Sequence, residues 1–279
     1  MARTTNKTEA GGTARMVAAL AKSLREQLGL SQEELGKLIG YTALAISAME
    51  TCAQPASDHM LVMLEKTIGG GLGVFEKARE FIRLDRYPPQ FKDFVPMEAA
   101  AVTLSSYETV VIDGLFQTED YARALIGGGY PALPSEQVDE LVDLRRKRRT
   151  LFDRPSLPLI ELILDESVLR RPFGSWEIQR SQLRSLAEDA RRDNVSVQIL
   201  PLERGLRGQH AGAQGGMKLV ETQEHHHVVY MEVEDESILV SDPTKVARLS
   251  HRYAKIRTQT LSPDDSVRLI EQLAEEVGT

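Results

Sequence analysis

The stretch from residue 24 to residue 50 constrains the fold more strongly than any other part of the chain. Ser31 is followed three residues later by Glu34, the pattern of a capping box, so a helix is predicted to begin directly after Ser31. Gly40 can end this helix in a tight turn, and Thr42 can cap a second helix. Two short helices joined in this way form a helix-turn-helix, which presents the start of its second helix to the major groove of DNA. A generic helical bundle is the alternative interpretation.

Apolar residues in the same stretch recur at the spacing of a buried helical face. The residues predicted to face the core are Leu35, Leu38, Ile39, Ile46 and Met49. Gly36 is small at the place where the second helix is expected to pass close to the first. Taken together, the spacing favours a helix-turn-helix over a generic bundle.

Changes in composition along the chain predict two domains of different class. Residues 1–13 are small and polar and are expected to form a flexible tail. Residues 14–71 are helical in short pieces and are predicted to be the helix-turn-helix domain, and residues 72–97 a linker helix and turn. From residue 98 to residue 279, strand patterns alternate with helix patterns. The predicted fold is therefore an all-α domain followed by a mixed α/β domain.

The α/β domain is predicted in more detail from β-branched runs and from three-to-four apolar spacing. Strands are expected at 101–113, 159–164, 195–200, 217–220, 228–231 and 237–240, and helices at 118–126, 135–152, 175–192, 243–260 and 263–277. The last two helices carry continuous apolar stripes, which usually pack on their own domain. A seam between two copies of the chain is the alternative for those stripes.

Composition excludes several classes of protein. The single cysteine, Cys52, excludes an internal disulfide framework and a cysteine-rich zinc module. No stretch approaches the ~20 apolar residues of a membrane-spanning helix, and the polar N-terminus lacks the apolar core of a signal peptide, so a cytoplasmic protein is expected. The net charge of −7 argues against a uniformly basic nucleic-acid-binding surface, although not against a local one.

The N-terminal pattern resembles a known family. Leu-Ser-Gln-Glu-Glu-Leu-Gly at 30–36, Gly-Tyr-Thr at 40–42 and Ile-Ser-Ala-Met-Glu at 46–50 resemble the xenobiotic-response-element type of helix-turn-helix, with its lambda-repressor-like five-helix fold. The resemblance implies that the bases of double-stranded DNA face Ala43, Leu44 and Ser47. It also implies that Gln32 and Thr42 contact bases or phosphates.

The chain departs from that family at the residues that would contact DNA. Ala43 and Leu44 offer no hydrogen bonds to base edges and at best touch a thymine methyl group. Residues 15–69 carry five basic and six acidic side chains, so phosphate neutralisation is weak unless the protein dimerises. Cys52 replaces the glycine that the family has after the second helix, and a cysteine enters a left-handed turn less easily than glycine.

A second resemblance covers the remainder of the chain. The segments 106–125, 164–172, 194–201 and 240–243 are similar to the second domain of actinobacterial regulators of the WhiJ type. This resemblance implies a transcriptional regulator of an antitoxin-like kind, often encoded beside a small partner protein.

The C-terminal residues that invite a chemical interpretation have simpler structural ones. No carboxylate recurs with a base and an orienting partner, so no enzyme is predicted, and Asp165 and Glu166 are expected to begin a helix. The run His225–His227 is expected to form a polar turn, because adjacent extended residues point to opposite faces, and neither a metal nor a cofactor is predicted. The glycine-rich segment 205–216 lacks a phosphate-binding motif and is expected to be a surface loop, with a lid over a pocket as the alternative.

The densest basic run of the chain lies at residues 145–149, near the end of a predicted helix. A solvated helix end is the simpler interpretation, since cations complement the helix dipole there. The alternative is an auxiliary contact to phosphate or to an acidic partner by Arg145, Arg148 and Arg149.

Two functional hypotheses follow. The first is a homodimeric, DNA-binding transcriptional regulator whose C-terminal domain senses a small ligand or a small partner protein. The second is an antitoxin-like protein-interaction factor whose helix-turn-helix binds DNA weakly or not at all.

Overall fold

The structure is a computed structural model that describes residues 12–84, 87–88, 91–208, 210–233 and 236–276. Most of the predicted tail therefore lies outside the described residues. The chain divides at residue 88 into two compact units, which we call the N-terminal unit and the C-terminal unit.

The described residues of the N-terminal unit form five helices, α1 (Gly12–Gln27), α2 (Gln32–Ile39), α3 (Ala43–Glu50), α4 (Asp58–Ile68) and α5 (Val74–Leu84). Leu35, Ile39, Ile46 and Met49 are buried, as the apolar spacing predicts. The prediction for Leu38 is wrong, because its side chain is 56% exposed. Helix α2 packs against α3 and α4, and the edge of its apolar stripe, where Leu38 lies, reaches solvent.

Helix α5 belongs to the N-terminal unit. Phe75 and Ala78 are buried in the same apolar cluster as the core residues of α1 to α4. The structure thus divides the segment 72–97 that the sequence predicts as a linker. The next helix, α6 (Phe94–Ala99), buries Phe94 in the core of the C-terminal unit.

The C-terminal unit is built on one six-stranded sheet with the strand order β3-β2-β1-β4-β5-β6. The strands are β1 (Ala101–Glu108), β2 (Leu159–Asp165), β3 (Val195–Leu200), β4 (Met217–Thr222), β5 (His227–Val233) and β6 (Glu236–Val240). Strands β1, β2 and β3 are parallel, and β4, β5 and β6 continue the sheet in antiparallel pairs. The remaining helices are α7 (Glu119–Gly127), α8 (Ser135–Arg148), α9 (Glu166–Arg170), α10 (Trp176–Asp189), α11 (Pro243–Arg257) and α12 (Pro263–Glu276). The predicted fold class, a helical domain followed by a mixed α/β domain, is confirmed.

Both faces of the sheet are covered over its central strands, whereas β6 leaves Ile238 and Leu239 exposed. One face packs in a cluster that includes Leu183 of α10 and Ile270 of α12, and the other packs against α11. The apolar stripe of α11, with Leu249 and Ile256, is buried against the sheet. The buried residues of both stripes, such as Ile256 and Ile270, are therefore used within the unit, which favours the first of the two interpretations.

Several of the predicted elements are shorter than expected, among them β1, α8, α10 and α11. Strand β1 ends at Glu108, and the chain then turns, with a side-chain oxygen of Asp113 accepting a hydrogen bond from the N–H of Leu115 at 2.7 Å. Helix α8 ends at Arg148 and continues as a 3-10 helix, Arg149–Asp153.

Candidate nucleic-acid interface

The two central helices of the N-terminal unit are fixed by the residues that the sequence singles out. The Ser31 hydroxyl accepts a hydrogen bond from the N–H of Glu34 at 3.2 Å, and the Glu34 carboxylate accepts one from the N–H of Ser31 at 2.8 Å. Gly40 ends α2 in the left-handed conformation, with φ 78°. The Thr42 hydroxyl then caps α3 by accepting from the N–H of Ala45 at 3.2 Å. These local contacts set the angle of the helix-turn-helix.

Gly36 allows the turn to pass close to α2. A Cβ atom at this position would lie 2.6 Å from the carbonyl oxygen of Tyr41, which is closer than real Cβ contacts allow. The closest approach is therefore to the turn before α3, and the first residue of α3 follows, with the N atom of Ala43 at 3.4 Å.

The start of α3 is accessible on the N-terminal unit. The side chain of Leu44 is 79% exposed, Thr42 is exposed, and Ala43 and Ser47 are half-buried. Ile46, one residue before Ser47, is fully buried and fixes the rotation of the helix. Four of the five predicted contact residues thus share one accessible surface. We call Thr42, Ala43, Leu44 and Ser47 the α3 face.

Gln32, the fifth predicted contact residue, is engaged inside the unit. Its side-chain amide donates to a carboxylate oxygen of Glu50 at 2.8 Å, and the Arg25 guanidinium donates to the same carboxylate at 2.6 and 3.0 Å. The hydrogen bond to Glu50 is the main cause that raises the pKa of Arg25. Burial alone would raise the pKa of Glu50, but the hydrogen bonds from Arg25 and Gln32 outweigh it and lower that pKa. This cluster joins α1, α2 and α3, and it uses an arginine that would otherwise be available to phosphate.

Other cations of the N-terminal unit are also paired. Lys37 lies 2.8 Å from Glu33, and Arg83 lies 2.5 Å from Asp58. These pairs reduce the number of cations that the described part of the unit offers to the phosphate backbone, in line with its charge count.

Cys52 adopts the left-handed conformation, with φ 56°, directly after α3. A side chain in this region costs about 1–2 kcal/mol, and glycine avoids that cost but loses more backbone entropy on folding. We expect Cys52→Gly to raise the free energy of unfolding of the N-terminal unit by about 0.5–1 kcal/mol. Thermal unfolding followed by circular dichroism would measure the change. Cys52→Ser is the matched control, because it keeps a Cβ atom, and an equal gain from serine would contradict the role of backbone strain.

The arginines predicted as an auxiliary contact point inward in the C-terminal unit. Arg148 donates to the carboxylate of Glu98 at 2.7 and 2.6 Å, and both side chains are less than a tenth exposed. Arg149 donates to both carboxylate oxygens of Asp189 at 3.0 Å. Arg145 donates to the side-chain oxygen of the buried Gln117 at 2.6 Å. Arg145, Arg148 and Arg149 are thus used for internal contacts, which contradicts a role as an outward basic patch.

A buried charge cluster, which the sequence does not reveal, lies where β1 and β4 are paired. The ammonium group of Lys218 lies 2.5 Å from a carboxylate oxygen of Glu108 and in contact with the carboxylate of Asp113. Burial raises the pKa of Glu108 to about 7. Burial would also raise the pKa of Asp113, but the charges of Lys218 and Arg148 outweigh it and hold that pKa below its usual value. Every charge in this cluster has a partner, so we assign it a structural role.

The histidine run forms a turn between β4 and β5. His225, in the left-handed conformation at φ 58°, lies 2.9 Å from Glu221, and His226 lies 3.4 Å from Glu224. Within the described ranges, no group of three or more His, Cys, Asp or Glu side chains could hold a metal ion.

The described residues of the glycine-rich loop are held by α11. Arg252 donates to the carbonyl oxygens of Ala211 and Gly215 at 3.1 and 3.0 Å. A Cβ atom at Gly212 would overlap the Tyr107 hydroxyl, so the loop backbone lies directly on the end of β1. The loop covers the carboxyl end of this strand.

Beside the histidine turn lies a groove of about 940 Å³, within the C-terminal unit. Its apolar lining comes mainly from α6, the start of β5 and the first turns of α11, including Met97, Val228 and Val246. The exposed side chains of the run His225–His227 line it as well.

No helix formed by the described residues is long and apolar enough to cross a membrane.

Two families match the chain. Residues 22–75 match a helix-turn-helix family, HTH_3, which indicates a DNA-binding regulator. Residues 91–272 match the family described as a domain of unknown function, DUF5753. Neither description names an enzyme, and no curated protein and no solved structure matches the chain. Because the second match spans well over half of its length, the chain belongs to the DUF5753 family, with a helix-turn-helix preceding the domain that defines it.

Proposed function

We propose that the chain is a transcriptional regulator that binds double-stranded DNA through the α3 face. The observation that carries this proposal is the exposure of the first turn of α3, capped by Thr42, while Ile46 and Met49 hold the helix from behind. In a helix-turn-helix, these first residues of the second helix are the ones that reach base edges.

The α3 face can make only a few contacts to the bases of DNA. Leu44 and Ala43 can pack on thymine methyl groups, and the Ser47 hydroxyl can donate to or accept from either base of a pair. Gln32 keeps its side-chain carbonyl oxygen as an acceptor, since its amide donates to Glu50. So few contacts give low affinity for one half-site, and we therefore propose that the protein binds as a homodimer to two half-sites.

The C-terminal unit would sense the ligand or partner that regulates the protein. We propose the groove beside the histidine turn as the sensing site, because its volume and apolar lining are those of a small-molecule site. A small partner protein is the other signal that the C-terminal unit could receive.

A second candidate function, an antitoxin-like interaction factor, is favoured by one specific observation. Leu44 and Leu38 expose 79% and 56% of their surface, and the α3 face carries no basic side chain. Exposed leucines without cations suit a contact with protein better than a contact with phosphate.

Selection from a random duplex library with the tagged full-length chain would separate the two candidates. Under the first, one sequence class is enriched, and its affinity falls steeply between about 50 and 200 mM salt. A scrambled duplex is the control and should bind at least about 1,000-fold more weakly. If no sequence is enriched and binding does not respond to salt, the regulator proposal fails and the interaction factor is favoured.

A further inference from the structure

The fifteen residues of α11 are unusually basic for a chain with a net charge of −7. The helix contains five lysine and arginine residues, Lys245, Arg248, Arg252, Lys255 and Arg257, and no acidic residue. Every other helix described in the C-terminal unit contains at least one aspartate or glutamate. The charge of α11 is therefore a local feature, opposite in sign to that of the whole chain.

Packing turns three of the five basic residues of α11 to one exposed side. Leu249 and Ile256 are buried against the sheet, which fixes the rotation of the helix. Lys245, Arg248 and Lys255 are exposed and recur at spacings of three and seven residues, so they form one row. At 1.5 Å per residue, the row is about 15 Å long. We call Lys245, Arg248 and Lys255 the α11 row.

The α11 row is not neutralised by the part of the chain that the structure describes. Arg252 donates to carbonyl oxygens of the glycine-rich loop, and Arg257 lies 2.8 Å from Glu161. Within the described ranges, no member of the α11 row forms a side-chain ion pair, although the carboxylate of Asp242 caps the helix at the N–H of Lys245. In the densest basic run of the chain, by contrast, Arg148 and Arg149 are paired with carboxylates inside the unit.

The α11 row also lowers the stability of the helix when no anion is bound to it. Like charges at i,i+3 and i,i+4 on a helix repel, by about 0.2–0.5 kcal/mol for each pair. Lys245 lies in the first turn of α11, where the helix dipole disfavours a cation. A repulsive arrangement of this kind suits an external anion that neutralises it.

We propose that the α11 row binds the phosphate backbone of double-stranded DNA. The inference rests on the proposed function, because it adds phosphate contacts to a helix-turn-helix in which several cations are already paired. There, Arg25 and Lys37 are paired with Glu50 and Glu33. Contacts to phosphate raise affinity and position a protein without reading sequence, which is the contribution that the α3 face cannot make.

The test compares two triple variants of the full chain on the duplex selected by the wild type and on a scrambled duplex. The first variant is Lys245→Gln, Arg248→Gln and Lys255→Gln. The control is Arg146→Gln, Lys147→Gln and Arg184→Gln, which makes the same change of charge at exposed residues of α8 and α10. The readout is the slope of log affinity against log salt.

The α11 variant is expected to reduce the slope by about 2.7, because each neutralised phosphate contributes about 0.9. Raising the salt concentration from about 50 to 200 mM then lowers the affinity of the α11 variant about 40-fold less than it lowers that of the wild type. This difference should be the same for both duplexes. The control variant should keep the wild-type slope. The melting temperature of the α11 variant should stay close to that of the wild type, because the substitutions relieve the unfavourable charges at Lys245 and Arg248 but remove a favourable one at Lys255, in the last turn of the helix.

An unchanged slope in the α11 variant would overturn the inference, and so would an equal reduction in the control, which would show an effect of net charge only. Either result leaves the proposed function standing if the wild type still prefers its selected duplex. If the wild type binds no duplex in a salt-dependent way, both proposals fail. If the α11 variant loses the binding of poly-glutamate that the wild type shows but binds DNA with the wild-type affinity and slope, the row is a site for an acidic protein and the inference is wrong.

Discussion

Replacing Lys218 by methionine is expected to lower the free energy of unfolding of the C-terminal unit by about 3–5 kcal/mol at neutral pH. Lys218 is only 10% exposed and contacts two carboxylates, those of Glu108 and Asp113. Methionine has a similar volume and fills the same space, so the destabilisation comes from electrostatics: the buried charge of Asp113 loses its partner, and Glu108, whose pKa is raised by burial to about 7 even beside Lys218, must take up a proton. This is the largest stability effect that we expect from a single substitution.

The pH dependence of that destabilisation distinguishes charge from packing. Without Lys218, the folded-state pKa values of the two carboxylates rise above their unfolded values. Unpartnered carboxylates therefore destabilise the fold above the raised pKa, and the destabilisation is relieved as the pH falls toward the unfolded values near about 4. The deficit of Lys218→Met should thus be smaller at about pH 5 than at neutral pH.

Urea unfolding followed by tryptophan fluorescence measures this deficit for the C-terminal unit alone, because Trp176 of α10 is the only tryptophan in the chain. The matched control is the triple variant Lys218→Met, Glu108→Gln and Asp113→Asn, which removes all three charges and keeps an oxygen for the N–H of Leu115. It should regain most of the stability that Lys218→Met removes. A deficit that is the same at both pH values, or that the triple variant does not reduce, would contradict the role of buried charge.

The sequence predicts contacts that are local and misses those that join distant residues. The caps of α2 and α3 depend on Ser31, Glu34 and Thr42, each of which bonds to a residue three positions away, and these are confirmed. The run at 145–149 is misinterpreted because the partners of Arg148 and Arg149 lie 50 and 40 residues away in the chain. The Lys218 cluster joins residues more than 100 positions apart and has no local signature.

The two basic segments of the C-terminal unit show the same limit. A high density of basic residues marks 145–149, although Arg148 and Arg149 are paired with carboxylates inside the fold. In α11 the signal is different: its five cations are spread over fifteen residues, and the helix lacks acidic residues. The absence of neighbouring carboxylates, rather than the number of cations, was the feature that could have indicated a free basic surface.

Replacing Leu44 by glutamate is expected to weaken DNA binding at least about tenfold while leaving the fold as stable as before. Leu44 is 79% exposed, so the substitution removes little packing. It lies in the first turn of α3, where an acidic side chain is favoured by the helix dipole by about 0.3–1 kcal/mol. In the major groove, the same carboxylate would face the phosphates and the acceptors of base edges and would be repelled.

Stability and DNA affinity should therefore move in opposite directions, which separates a direct effect on DNA binding from a damaged fold. Leu72→Glu is the matched control. Leu72 is 75% exposed in the turn between α4 and α5, and the substitution makes the same change of side chain and charge away from the α3 face.

The most direct measurement is a fluorescence anisotropy titration of the selected duplex with wild type, Leu44→Glu and Leu72→Glu at one salt concentration. If the α3 face reads DNA, wild type and Leu72→Glu bind with equal affinity, and Leu44→Glu binds at least about tenfold more weakly with an unchanged or higher melting temperature. If Leu44→Glu binds the duplex as tightly as wild type, the α3 face does not contact DNA.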